Sequence, residues 1–271
     1  MASAILRKAW KGKWAVVTGA SAGIGEAIAV ELAEAGMNLV LTARRRERLE
    51  VLAERLSQQH SVEVAVIVAD LNHPQAPQQI FEATEGAGLP VEVLVNNAGF
   101  GEYGEFIHSR LEMQVDMVQV NCTAVVHLTR LFLPKMVERR RGGILIVAST
   151  ASFQPVPYLA TYAATKAFDR LLAEALAEEV KRYGVHVSAL CPGPTQSEFG
   201  QVAGQPPSAG GLRKAQSAAE VARLGLEALV DGKHSVIPYL AGRVMVFAQR
   251  FVPRRVVSRA VERMFRPPAP S

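Results

Sequence analysis

The feature that most narrows the folds open to this chain is a repeated alternation. Short β-branched and aliphatic runs are separated by longer stretches whose apolar residues keep helical spacing. "WAVVTG" at 14–19 reads as a buried strand. It is followed by "IGEAIAVELAEAG" at 24–36, where Ile24, Ile28, Leu32 and Ala35 share one helix face and Gly36 marks the stop. Further strands are expected at 38–43, 62–70, 91–99, 142–150, 185–193 and 234–239, and helices at 45–59, 75–86, 159–182 and 218–230. A long helical stretch covers 111–139, with a break or kink expected at Pro134. Strands that alternate with helices of this length build βαβ units and a parallel sheet. Right-handed crossovers put helices on both of its faces. The expected fold is therefore α/β, a single doubly wound parallel sheet of about seven strands, with its ligand crevice at the strands' carboxyl ends.

Composition removes several alternatives. Of 271 residues, 49% are apolar and 20% charged, ordinary for a well-packed domain that needs no staples. Cys122 and Cys191 cannot build a metal site alone and suggest no disulfide framework, which fits a reducing compartment. The six histidines lack ligand spacing, so no metal is expected. The opening "MASAILRKAWKGKWAVVTG" is too interrupted by Lys and Arg for a secretory signal, and no apolar run reaches transmembrane length. A cytoplasmic protein is expected. The net charge of +5 is concentrated: residues 239–266 hold seven arginines against the single acid Glu262. A nucleic-acid role is not expected, because a basic folded face with interleaved aromatics is missing.

Two short stretches suggest chemistry. "TGASAGIG" at 18–25 lies where the first strand turns into the first helix. Gly19, Gly23 and Gly25 allow a tight turn and close approach of a pyrophosphate to the helix N-terminus, with Ser21 and Ile24 in the same turn; a plain structural turn is the alternative. Without Lys-Ser or Lys-Thr after the glycines it is no nucleoside-triphosphate loop. "YAATK" at 162–166 sets a phenol and an ammonium one helical turn apart. A fixed cation lowers the pKa of a neighbouring phenol from its ordinary value of about 10. The pair therefore reads as a tuned proton donor or, more plainly, as an edge Tyr beside a solvated Lys.

The glycine spacing, "NNAG" at 96–99, Ser149, "YAATK" and "PGPTQS" at 192–197 together resemble the classical short-chain dehydrogenase/reductase family. The resemblance runs from about residue 12 to 238, and Ser149 precedes Tyr162 by the family's usual thirteen residues. It implies a Rossmann-type catalytic domain over 1–238 and a nicotinamide cofactor. Tyr162 would be the acid/base, and Lys166 would lower its pKa and hold the nicotinamide ribose. Ser149 would hydrogen-bond the substrate oxygen. Asn121 would position a water in a proton relay, unless it is a buried amide serving nearby backbone. Asp70 and Leu71 would contact adenine, and Asn97, Ala98 and Gly99 the adenosine ribose. Pro192, Gly193 and Thr195 would flank the nicotinamide, with Ser197 a second candidate for its amide. Dimers or tetramers are the family's habit.

Cofactor choice follows from charge. NAD sites usually end the second strand with an acid that accepts from the ribose 2′-hydroxyl. Here that strand ends "LTARRR", with no acid before Glu47. Arg44, helped by Arg45 and the Ser21 hydroxyl, is the expected ligand of a 2′-phosphate, so NADP(H) is expected over NAD(H); a solvated basic helix start is the alternative. Phe100, Phe153, Val156, Tyr158 and Phe199 suggest an apolar carbonyl or alcohol substrate. The loop at 200–216 reads as a lid or a disordered stretch.

Residues 239–271 form a basic amphipathic extension. Val244, Phe247, Ala248 and Phe251, then Val256, Val257, Ala260, Val261, Met264 and Phe265, keep helical spacing with arginines opposite. Packing on the body, on a partner or on a membrane surface are the three readings. The chief expectation is an NADP(H)-dependent oxidoreductase; the alternative is a catalytically silent cofactor-binding scaffold or a membrane-surface adaptor acting through this tail.

Overall fold

The computed structural model describes residues 4–206, 209 and 215–267. The strands are β1 (Trp14–Thr18), β2 (Asn38–Ala43), β3 (Val64–Val68), β4 (Val91–Asn96), β5 (Gly142–Val147), β6 (Val185–Leu190) and β7 (Ser235–Val236). Among the described residues they form one seven-stranded sheet in the order β3-β2-β1-β4-β5-β6-β7, with every neighbouring pair parallel. The helices are α1 (Ala4–Trp10), α2 (Gly23–Glu34), α3 (Arg46–His60), α4 (Ala76–Glu82), α5 (Leu111–Val118), α6 (Ala124–Glu138), α7 (Ala160–Val180), α8 (Phe199–Val202), α9 (Ala218–Val230), α10 (Leu240–Ala248) and α11 (Arg254–Phe265). No described helix is long and apolar enough to cross a membrane.

Side chains alternate across a strand, so a sheet covered on both faces needs continuous apolar strands. Val17, Leu41, Val95 and Leu145 pack with α1, α2, α3 and α9. Their chain neighbours Val16, Val40, Leu94 and Ile144 pack on the opposite face with α4, α6 and α7. The α1 segment escapes the sequence reading, yet Leu6 and Trp10 are buried in the first of these cores. The outer strands are shorter than expected, since each is supported from one side only. β7 is two residues long, and Pro238, without an N–H, follows almost at once.

The expected break at Pro134 is corrected. Pro134 lies inside the continuous helix α6, and the irregularity comes earlier, in a π turn at Gln119–Thr123. The carbonyl that Pro134 deprives of a partner belongs to Arg130, an exposed residue where water can serve instead.

Beyond β1 the strand order reverses, and the crevice between β1 and β4 is tied by one hydroxyl. Thr18 Oγ1 donates to the Val95 carbonyl at 3.1 Å and accepts from the Asn97 and Ala98 amides, each at 3.0 Å. Thr18→Val should keep the shape and strand those amides. A loss of roughly 2 kcal/mol is expected in urea unfolding, from two part-buried donors at the low end of about 1–3 kcal/mol each.

Candidate active site

The glycine turn sits at the carboxyl end of β1. Gly19 (φ +66°) and Gly23 (φ +61°) both adopt left-handed backbone. A Cβ on Gly19 would approach the Ala98 Cα and Asn97 Nδ2 to 2.8 Å, so the turn closes directly on the segment after β4. Asn97 Nδ2 donates to the carbonyls of Thr18 at 2.9 Å and Gly19 at 3.2 Å, and Gly25 lies against the same amide. The first turn of α2 has Ala22 at its N-cap and no side-chain cap. The amides of Gly23, Ile24 and Gly25 therefore point from a positive helix end without a side-chain acceptor. This cradle fits the pyrophosphate of a dinucleotide.

α7 carries the phenol and the ammonium. Tyr162 is half-buried and Lys166 fully buried. Ser149 follows β5, and its hydroxyl accepts from the Ala151 amide at 3.1 Å. Burial pushes the Tyr162 phenol above its ordinary pKa, against the opposing pull of Lys166 and Ser149. Lys166 draws that pKa down, as expected, but burial outweighs its pull and the net direction is upward. Lys166 Nζ donates to the Val147 carbonyl at 2.7 Å and to Asp169 Oδ2 at 2.9 Å. Asp169 is buried too, and its charge holds the ammonium protonated against the cost of burial. Burial raises the Asp169 carboxyl while Lys166 draws it down, and its Oδ1 has no hydrogen-bond partner among the described residues. Sequence reasoning missed Asp169, although an acid three positions after a helical lysine is a recognisable pair. It missed Thr18 as well.

Asn121, in the π turn, is fully buried. Its Nδ2 donates to the Phe100 carbonyl at 2.9 Å and Thr165 Oγ1 at 3.0 Å, and its Oδ1 accepts from the Phe100 amide at 3.1 Å. Gly99 is packed between Asn121 and Lys166: a Cβ there would lie 3.0 Å from Asn121 Oδ1 and 3.4 Å from Lys166 Nζ. Burial pushes the thiols of Cys122 and Cys191 up to about 12, so neither is a ready nucleophile.

After β2, Arg44 is exposed. Arg45 turns onto the glycine loop, donating to Ser21 Oγ from Nε at 3.2 Å and Nη2 at 3.0 Å. Glu198 bridges Arg45 at 2.7 Å and Arg48 at 2.6 Å, which holds its carboxyl below the usual range. After β3, Leu71 is buried and exposed Asp70 accepts from the Asn72 amide at 3.0 Å. After β6, Pro192 accepts from the Thr150 amide at 2.9 Å, Thr195 caps the Gly193 carbonyl at 2.9 Å, and Ser197 lies 3.0 Å from where a Gly23 Cβ would sit. Much of the loop expected at 200–216 lies outside the described residues.

The open side of Tyr162 is apolar. Its ring stacks obliquely on Phe199 with centroids 4.9 Å apart. Val156, Leu159 and Ala163 form a small core with Tyr162 and Tyr103, and Val261 and Phe265 of α11 pack on that same core. Two phenols fasten α11 there. Tyr103 donates to the Phe265 carbonyl at 2.5 Å, and Tyr158, itself left-handed at φ +68°, donates to Glu262 at 2.9 Å.

Comparison with known proteins agrees with this geometry. A family model described as short chain dehydrogenase matches residues 13–207. The very-long-chain 3-oxoacyl-CoA reductase of Bos taurus is 39% identical over 187 residues, which cover 68% of this chain and 59% of that protein. A short-chain dehydrogenase from Sphingobium yanoikuyae in complex with NADPH superposes with TM-score 0.80 at 29% identity, covering 88% of this chain and 93% of that one. The bulky-bulky ketone specific alcohol dehydrogenase from Comamonas testosteroni superposes with TM-score 0.75 at 28% identity, covering 88% and 92%. The chain belongs to the short-chain dehydrogenase/reductase family.

The buried pair makes a prediction. Asp169→Leu leaves the Lys166 ammonium with one carbonyl, and a loss of roughly 3–5 kcal/mol is expected in chemical unfolding. Adding Lys166→Met should restore most of it, and a double variant no more stable than Asp169→Leu would deny the pairing its importance.

Proposed function

We propose that this chain is an NADP(H)-dependent oxidoreductase that transfers a hydride between nicotinamide and the carbonyl or alcohol carbon of an apolar substrate. The observation that carries the reading is convergence: Ser149, Tyr162 and Lys166 share one sheet edge with a glycine turn whose helix end offers uncapped amides. The bound nicotinamide supplies or accepts the hydride. In reduction the Ser149 hydroxyl donates to the carbonyl oxygen, and Tyr162 gives that oxygen its proton as charge develops. Lys166 stabilises the resulting phenolate and holds the ribose. Asn121, whose side chain bonds Phe100 and Thr165, would position a relay water from within the π turn.

The turn at Gly19, Gly23, Ile24 and Gly25 would hold the pyrophosphate, Asn97 to Gly99 the adenosine ribose, Asp70 and Leu71 the adenine, and Pro192, Gly193 and Thr195 the nicotinamide. Arg44 and the Arg45–Ser21 pair support a 2′-phosphate site, and the NADPH-bound relative supports the same preference. The apolar surround of Tyr162 and the names of the relatives put 3-oxoacyl thioesters and bulky ketones first in a substrate panel. A homodimer or homotetramer is proposed as well, supported by Leu111, Val115, Val118, Phe168 and Leu171, which stand exposed on α5 and α7.

Fluorescence titration should give tighter binding of NADPH than NADH, and Arg44→Ser with Arg45→Ser should weaken NADPH alone, roughly tenfold or more. Tighter binding of NADH by the unaltered protein would sink the phosphate reading. Tyr162→Phe should keep cofactor affinity and lose turnover by roughly 10²–10⁴-fold; undiminished turnover would remove Tyr162 from the chemistry. Reduction needs the protonated phenol and oxidation the phenolate. With the Tyr162 pKa raised, kcat/KM for reduction should stay level through neutral pH and fall only at alkaline pH, while oxidation should rise there.

A further inference from the structure

The C-terminal helix pair presents a surface that the reading above leaves unused. Leu240, Val244, Phe247 and Phe251 recur at intervals of four, three and four, so they line one strip along α10 and the turn after it. That strip faces outward: the four side chains are 74, 59, 60 and 75% exposed. Phe247 and Phe251 lie edge to face at 5.4 Å. α10 meets the body by other means, through buried Gly242 and a hydrogen bond of 3.1 Å from Gln249 to Gln154. On α11, Val261, Glu262 and Phe265 turn inward, while Arg254, Arg255, Arg259 and Arg263 are exposed beside Val256 and Met264. Glu262, the one acid of the segment, is already held by Arg266 at 2.8 Å and Tyr158 at 2.9 Å.

Large apolar side chains gathered on one exposed strip mark a surface that something covers. A second copy of this segment would bring an equal excess of positive charge against the first, and like charges at close range repel. A nucleic acid would use the arginines and leave the strip in water. An anionic lipid surface satisfies both features, since apolar residues enter the acyl boundary while guanidinium groups meet the headgroups. We propose that α10 and α11 dock this protein on an anionic membrane surface. The inner face of α11 packs on the core that carries Tyr162, so a docked protein holds its cleft beside the lipid, where an apolar substrate is concentrated. That last consequence rests on the oxidoreductase reading; docking itself does not.

The test is co-sedimentation of the whole protein with phosphatidylcholine vesicles and with vesicles that also contain phosphatidylglycerol, without turnover. Binding is expected to the anionic vesicles alone and to weaken as salt rises. Each arginine near such a surface contributes roughly fivefold in affinity, so R254Q/R255Q/R259Q should bind on the order of a hundredfold more weakly. F247S/F251S should also lose binding, while circular dichroism melts of both variants match the parent. Equal or absent binding to the two vesicle types overturns the proposal, as does unchanged binding by either variant. If light scattering instead gives an oligomer that F247S/F251S splits, with no vesicle binding, the strip joins copies of the chain and the proposal fails.

Discussion

Because all strands run in one direction, their carboxyl ends open at a single edge, and the reversal of order between β1 and β4 parts the loops along it. The Thr18 hydroxyl controls that opening. It binds β1 to the Val95 carbonyl and fixes the amides of Asn97 and Ala98. Asn97 then returns two hydrogen bonds to the glycine turn. The turn and the segment after β4 thus hold each other, and only glycine fits at Gly19, where the two backbones nearly touch.

Farther along the edge, charge rather than shape governs. A lone ammonium buried beside a phenol would be costly and would pull the phenol strongly toward ionisation. Asp169, 2.9 Å from the ammonium, offsets a smaller part of that field, and burial sets the balance in favour of the neutral phenol. In the proposed reaction this arrangement would keep an acid loaded at neutral pH, with the cation one turn away to meet the charge that proton transfer creates.

The sheet, its crossovers and the positions of the glycine turn, Ser149, Tyr162 and Lys166 were legible because each leaves a local pattern, a period of two or 3.6 or a fixed spacing. What escaped depends on partners distant in sequence. Pro134 signals a break only if its orphaned carbonyl is buried, and Arg130 is exposed. The direction of the Tyr162 shift depends on burial contributed by several elements, which a pentapeptide cannot express. Sequence ranked Arg44 ahead of Arg45, and only the hydrogen bonds to Ser21 reveal that Arg45 is the one that turns onto the glycine loop. On α10, helical spacing located the apolar strip without saying whether it faces in or out.

The attachment of α11 divides responsibility for the cleft. Tyr162 and the Ser149 beside it come from α7 and the segment after β5, in the middle of the chain, whereas Val261 and Phe265, about a hundred residues later, pack on the same small core as Tyr162. Substitutions at Val261 and Phe265 can change the packing beside Tyr162 without touching the strands that position it. On the proposed reading, the selectivity of the site is then adjustable from α11, separately from the groups that carry its chemistry.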